Sequence, residues 1–150
     1  MHIRHLTPAC LLGLALVAAC SSEVAINSKS GDVASFKRNP VTQNLTMYKD
    51  VAGTPATAFD AACRALDALN YYRVGQNTDK TAVYARGPLD VYVEVDIGAS
   101  KTAGDVLVTV SNSTGSLPDS QAIFAAILDQ LNGAQSTQAA PAAGRGRRGG

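Results

Sequence analysis

The sequence predicts an α+β domain: an antiparallel sheet of four to five strands with two helices packed on one face, in the order β-α-β-β-β-β-α. Three patterns predict it. Residues 89–97 alternate strictly, with Leu89, Val91, Val93, Val95 and Ile97 on one face and Asp90, Tyr92, Glu94 and Asp96 on the other. Two other stretches carry apolar stripes at helical spacing behind plausible caps. Turn-forming clusters rich in Gly, Pro, Asn and Asp separate the strand signals.

The first element is a strand from Leu45 to Val51, where Leu45, Met47 and Val51 alternate with polar neighbours and Lys49 is one imperfect position. Gly53-Thr54-Pro55 then changes the period, with Thr54 as N-cap and Pro55 as the first helical residue. The helix runs to about Asn70, and Phe59, Ala62, Cys63, Leu66 and Leu69 form its apolar stripe. Strands follow at 71–76, 81–86, 89–97 and 105–111. The second helix starts near Ser116-Leu117-Pro118-Asp119, a capping-box pattern, and ends at Asn132-Gly133. Its stripe is Ile123, Phe124, Ile127, Leu128 and Leu131. The sheet offers one apolar face, so both helices are expected on it. Outside 45–133, residues 20–44 read as a flexible tether with a weak strand signal at 33–36, and the Ala/Gly/Arg-rich 134–150 reads as a disordered tail.

The amino terminus carries a different message. Arg4 precedes an apolar run from Leu11 to Val17, the charge pattern of a secretory signal, and the run is far shorter than the roughly 20 residues that span a bilayer. Leu16-Val17-Ala18-Ala19-Cys20 resembles the lipobox of bacterial lipoproteins. The resemblance implies cleavage after residue 19, a diacylglyceryl group on the Cys20 sulfur and acylation of the new amino terminus. Simple secretion is the alternative. Cys10 lacks an apolar run upstream, since Thr7-Pro8-Ala9 precedes it. Ser21 and Ser22 follow Cys20 where an aspartate favours inner-membrane retention, so the resemblance points to the outer membrane. As a whole the chain resembles small proteobacterial outer-membrane lipoproteins whose periplasmic domain has no known function. That resemblance rests on the lipobox, and over 45–133 it is architectural.

Composition narrows the chemistry. Both histidines, His2 and His5, lie in the signal, so the mature chain would have none. This removes the usual general base and the commonest transition-metal ligand, and the expectation is a non-enzyme without a cofactor or bound metal. Of the three cysteines, Cys10 leaves with the signal and Cys20 takes lipid, which leaves Cys63 as a small hydrophobe in the core. Residues 45–133 hold six basic and ten acidic side chains, so no nucleic-acid partner is expected.

The candidate interaction surface is the polar face of residues 89–97: Asp90, Tyr92, Glu94 and Asp96. Carboxylates two apart on a strand point the same way at about 7 Å and could face one cation or a glycan; equally, such charges keep a strand soluble and take cross-strand Lys or Arg partners. Tyr71, Tyr72, Tyr84 and Tyr92 fit either an aromatic contact surface or half-buried sheet packing. Asn44-Leu45-Thr46 and Asn112-Ser113-Thr114 match the glycosylation sequon, which is irrelevant in a bacterial lipoprotein. Arg145, Arg147 and Arg148 suit anionic lipid or cell-wall polymer, or a merely solvated tail. The expected partners are therefore the membrane, through the lipid on Cys20, and an envelope protein, with dimerisation through an exposed sheet edge left open.

Overall fold

The computed structural model describes residues 22–26 and 31–138. The segment expected to be a signal, Cys20 and the arginines of the tail lie outside the described residues.

The domain is α+β, with one seven-stranded antiparallel sheet and two helices. The strands are β1 (Ser22–Ala25), β2 (Val33–Arg38), β3 (Leu45–Ala52), β4 (Tyr72–Gln76), β5 (Ala82–Arg86), β6 (Tyr92–Ala99) and β7 (Asp105–Asn112), and the helices are α1 (Pro55–Ala68) and α2 (Leu117–Gln138). Spatial order is β1-β2-β3-β7-β6-β5-β4. Helix α1 carries the chain from β3 to the far edge, and a meander from β4 through β7 returns it to pair β7 with β3. The predicted order within 45–133 holds, and the predicted strand count does not.

The two additional strands fall in the stretch expected to be a tether. Ile26 and Ala34 are buried, and Val24 and Phe36 pack partly against the core, so this segment joins the sheet. Strand β1 is four residues long, too short for periodicity to declare itself. Asn39-Pro40 forms the β2–β3 turn: the Asn39 side chain accepts hydrogen bonds from the backbone N–H of Val41 (2.8 Å) and Thr42 (3.0 Å).

Helix α1 begins as expected. The Thr54 hydroxyl accepts from the Thr57 backbone N–H at 3.2 Å, and the Thr57 hydroxyl closes the reciprocal bond to Thr54 at 3.0 Å. It ends in a Schellman arrangement, with Asn70 in the left-handed region (φ 60°), Tyr71 N–H on the Leu66 carbonyl and Asn70 N–H on that of Asp67. Ser116 caps α2 through its hydroxyl to Asp119 N–H at 3.3 Å. Helix α2 continues past Gly133, where the sequence suggested an end, as far as Gln138. Gly133 does not take the positive φ of a terminating glycine, and Ala134 and Gln135 after it are good helix formers.

The core lies between the helices and one sheet face. Val93, Val95 and Ile97 of β6, Val106, Val108 and Val110 of β7 and Leu45, Met47 and Val51 of β3 meet the stripes of both helices in one buried cluster. Ala58, Ala61 and Ala65 of α1 are fully buried, a small-residue surface that allows close approach of neighbouring backbone. Lys49 shares the row of Val108 and Ile97, and its ammonium reaches the sheet margin to meet Asp32 at 3.1 Å and the Val33 carbonyl at 3.0 Å.

Candidate functional site

Among the described residues the helices cover one face of the sheet and leave the other open, and alternation decides what that face shows. On β6, with Val93 and Val95 buried inward, Tyr92, Glu94 and Asp96 face outward. Strand β6 lies inside the sheet between β5 and β7, so these side chains stand over a paired, rigid backbone.

Asp90 does not join them. The stretch from Pro88 to Asp90 is a 3₁₀ turn, and the strand starts at Tyr92. Asp90 has φ 60° and pairs with Arg86 Nε at 3.2 Å. Leu89, expected in the core, is 97% exposed at the same turn. Gly87-Pro88 explains the error: proline supplies no ladder N–H, so alternation continued through it runs into a turn.

Cross-strand register sets the neighbours. Glu94 lies between Tyr84 of β5 and Ser111 of β7, and Asp96 between Ala82 and Thr109. No Lys or Arg stands directly opposite either carboxylate. Burial raises the Glu94 pKa above its ordinary value and the Asp96 charge adds to this, while a hydrogen bond with Tyr84 pulls the other way. Burial likewise raises the Asp96 pKa. The Tyr84 phenol is raised mainly by the charge of Glu94. The arrangement is a polar strip in which carboxylates hold protons more tightly than in water and phenol and hydroxyl groups offer hydrogen bonds. Among the described residues, no group of three or more His, Cys, Asp or Glu side chains is placed to hold a metal ion.

Sequence reasoning missed the groups around this strip. A shallow cleft is lined by Asn44, Tyr92, Glu94, Ser111, Asn112 and Ser113. Asn112 is fully buried; its side-chain oxygen accepts from Thr114 N–H (2.9 Å) and Thr114 hydroxyl (2.8 Å), organising the turn that leaves β7. Asn-Ser-Thr at a strand end signals such a side-chain-directed turn as well as matching the glycosylation sequon. Ser113 clamps Tyr92 to this turn, its hydroxyl accepting from Tyr92 N–H and its N–H donating to the Tyr92 carbonyl, both at 3.0 Å.

Of the remaining tyrosines, Tyr71 packs partly on the core and Tyr72 is 75% exposed on edge strand β4. Tyr71 lines an apolar cleft of about 300 Å³ with Leu69, Pro88, Leu89, Val91, Asp119, Ala122 and Ile123. Burial raises its phenol pKa, and Asp119 reinforces the shift. Cys63 is a free, buried thiol, as expected of a core residue. Burial raises its pKa, against the opposing pull of a hydrogen bond with Arg73. Arg73 in turn meets Asp67 at 3.0 Å.

No protein-family model matches the chain, and no curated protein matches it. Among solved structures, the chain is similar to a conserved protein of unknown function, EF2215, from Enterococcus faecalis, at 11% identity and a TM-score of 0.44, covering 71% of this chain and 79% of that one.

Proposed function

We propose that this protein is a non-catalytic lipoprotein of the bacterial outer membrane, anchored through acylated Cys20, whose open sheet face is a contact surface for another envelope protein. The observation that carries the anchor is Leu16–Cys20: a short apolar run, small residues and a cysteine, behind a basic start. Two or more acyl chains hold a protein far more firmly than one, at about 0.8 kcal/mol per buried CH₂. Among the described residues no helix is long and apolar enough to cross a membrane. The contact surface is supported by the strip of Tyr84, Tyr92, Glu94 and Asp96, where carboxylates lie partly desolvated without a Lys or Arg directly opposite. A partner that brings a cation or hydrogen-bond donors to those carboxylates would offset their desolvation.

A photo-crosslinking residue placed at Tyr84 in the intact envelope tests this reading. One defined protein should be captured there, not from Asp60 on the exposed side of α1, and capture should fall when Glu94 and Asp96 become lysines. Equal capture from both positions, or capture indifferent to the charge change, contradicts it. The second reading is a glycan-binding module, favoured by the Asn44–Tyr92–Glu94 cleft with its polar rim. A muropeptide that raises the melting temperature, with the increase lost in Glu94→Gln, would decide for it.

A further inference from the structure

We propose that one end of the sheet, the end carrying Val41 and Leu89, is a membrane-seating surface that rests against the phospholipid headgroups; this inference depends on the lipid anchor at Cys20. The length of chain between anchor and fold limits where the domain can go. Cys20 is two residues before Ser22, the first residue of β1, so an anchor there leaves at most about 7 Å of extended chain before the sheet begins. Ser22 pairs with Phe36, and the chain runs from there through Lys37 and Arg38 into the β2–β3 turn that bears Val41. An anchor on so short a leash holds this end of the sheet at the bilayer.

Independent features mark the same end. Val41 is 87% exposed, and Leu89, at 97%, projects from the β5–β6 turn. Register places the two turns together: Leu45, which closes the first, pairs with Asn112, which is followed by the Ser113 that clamps Tyr92 beyond the second. Leu89 sits in the left-handed region at φ 60°, a conformation unfavourable for leucine, and its side chain gains no burial in return. Tyr72, 75% exposed, begins its strand at this end, and an exposed tyrosine suits a headgroup layer.

Charge follows the same polarity. Lys37 and Arg38 lie beside the β2–β3 turn at this end, whereas Lys49 is paired with Asp32 toward the other end. Elsewhere at this end Asp90 is paired with Arg86 and Asp67 with Arg73, and Glu23 and Asp119 are the opposing acids. Asp50, Asp79, Asp96 and Asp105 gather toward the opposite end, with Lys80 and Lys101 against them, so an anionic surface favours the proposed orientation.

The chain contains no tryptophan, so an introduced one reports alone. Full-length protein purified from membranes carries Val41→Trp, Leu89→Trp or, on the β6–β7 turn about 23 Å away along β7, Lys101→Trp. Each is reconstituted into vesicles of phosphatidylethanolamine and phosphatidylglycerol. Cosedimentation is read first, since protein that stays in the supernatant overturns the anchor itself. With anchored protein, brominated phospholipid should quench positions 41 and 89 several-fold more than position 101, and iodide in the aqueous phase should show the reverse order. Lys37→Glu with Arg38→Glu should weaken lipid quenching at 41 while the protein remains anchored. Equal quenching at all three positions overturns the seating surface. Shielding of position 41 from iodide without quenching by brominated lipid also overturns it, assigning that end to a protein contact.

Discussion

The two faces of this sheet are built from the same strands and obey opposite rules. On the covered face, Val93, Val95, Val108 and Val110 meet Phe124, Ile127 and Leu66, and burial of apolar surface holds the domain together. On the open face, Tyr84, Glu94, Asp96, Thr109 and Ser111 meet water, and two carboxylates sit where neighbouring side chains partly strip their hydration. One face supplies stability, and the other gives some of it up. That division is expected where a surface is kept for contact rather than for folding.

Substitutions sharpen the contrast. Phe124→Ala removes a fully buried ring from the covered face and should cost about 3–5 kcal/mol, read by urea unfolding. A cost below about 1 kcal/mol would deny that α2 completes the core. Next comes Gly115→Ala at the turn joining β7 to α2: Gly115 has φ +69°, and an added Cβ would collide with the Gln43 carbonyl. A loss of about 2–3 kcal/mol is expected, from strain plus the displaced β2–β3 turn.

The open face should answer with the opposite sign. Burial raises the pKa of Glu94 in the folded protein, so the native state binds this proton more tightly than the unfolded chain does. Ionised Glu94 therefore detracts from stability at neutral pH. The deficit fades as pH falls through the raised value toward the ordinary carboxylate pKa. Glu94→Gln should raise the melting temperature at pH 7, and the advantage over the parent chain should shrink on acidification. An advantage that grows toward acid pH would reverse the assignment. The smallest effect is expected for Tyr84→Ser, within about 0.5 kcal/mol, because its side chain contributes to a surface and not to the core.

The covered face was largely legible in the sequence because both of its signals are periodic: alternation placed Val93, Val95, Ile97, Val106, Val108 and Val110, and helical spacing placed Phe59, Leu66, Ile123, Phe124 and Ile127. The outward position of Tyr92, Glu94 and Asp96 followed from the same alternation. Leu89 and Asp90 were lost because periodicity takes no account of the Pro88 turn. Strand β1 was hidden by its length and serine-rich surroundings, while β2 showed only as the weak signal at 33–36; burial of Ile26 and Ala34 secures both. Asn112 was invisible for another reason: its importance lies in satisfying turn hydrogen bonds inside the fold, and no pattern of hydrophobicity records that.

The claim on which the biological reading depends is the acyl group on Cys20. Mass spectrometry of the amino-terminal peptide from protein extracted from whole cells measures it directly. The account predicts a peptide that begins at residue 20 and carries both thioether-linked diacylglycerol and amide-linked acyl mass, with Cys20→Ala protein released from the membrane fraction. An unmodified Cys20, or a Cys20→Ala protein that remains in the membrane as before, would contradict it.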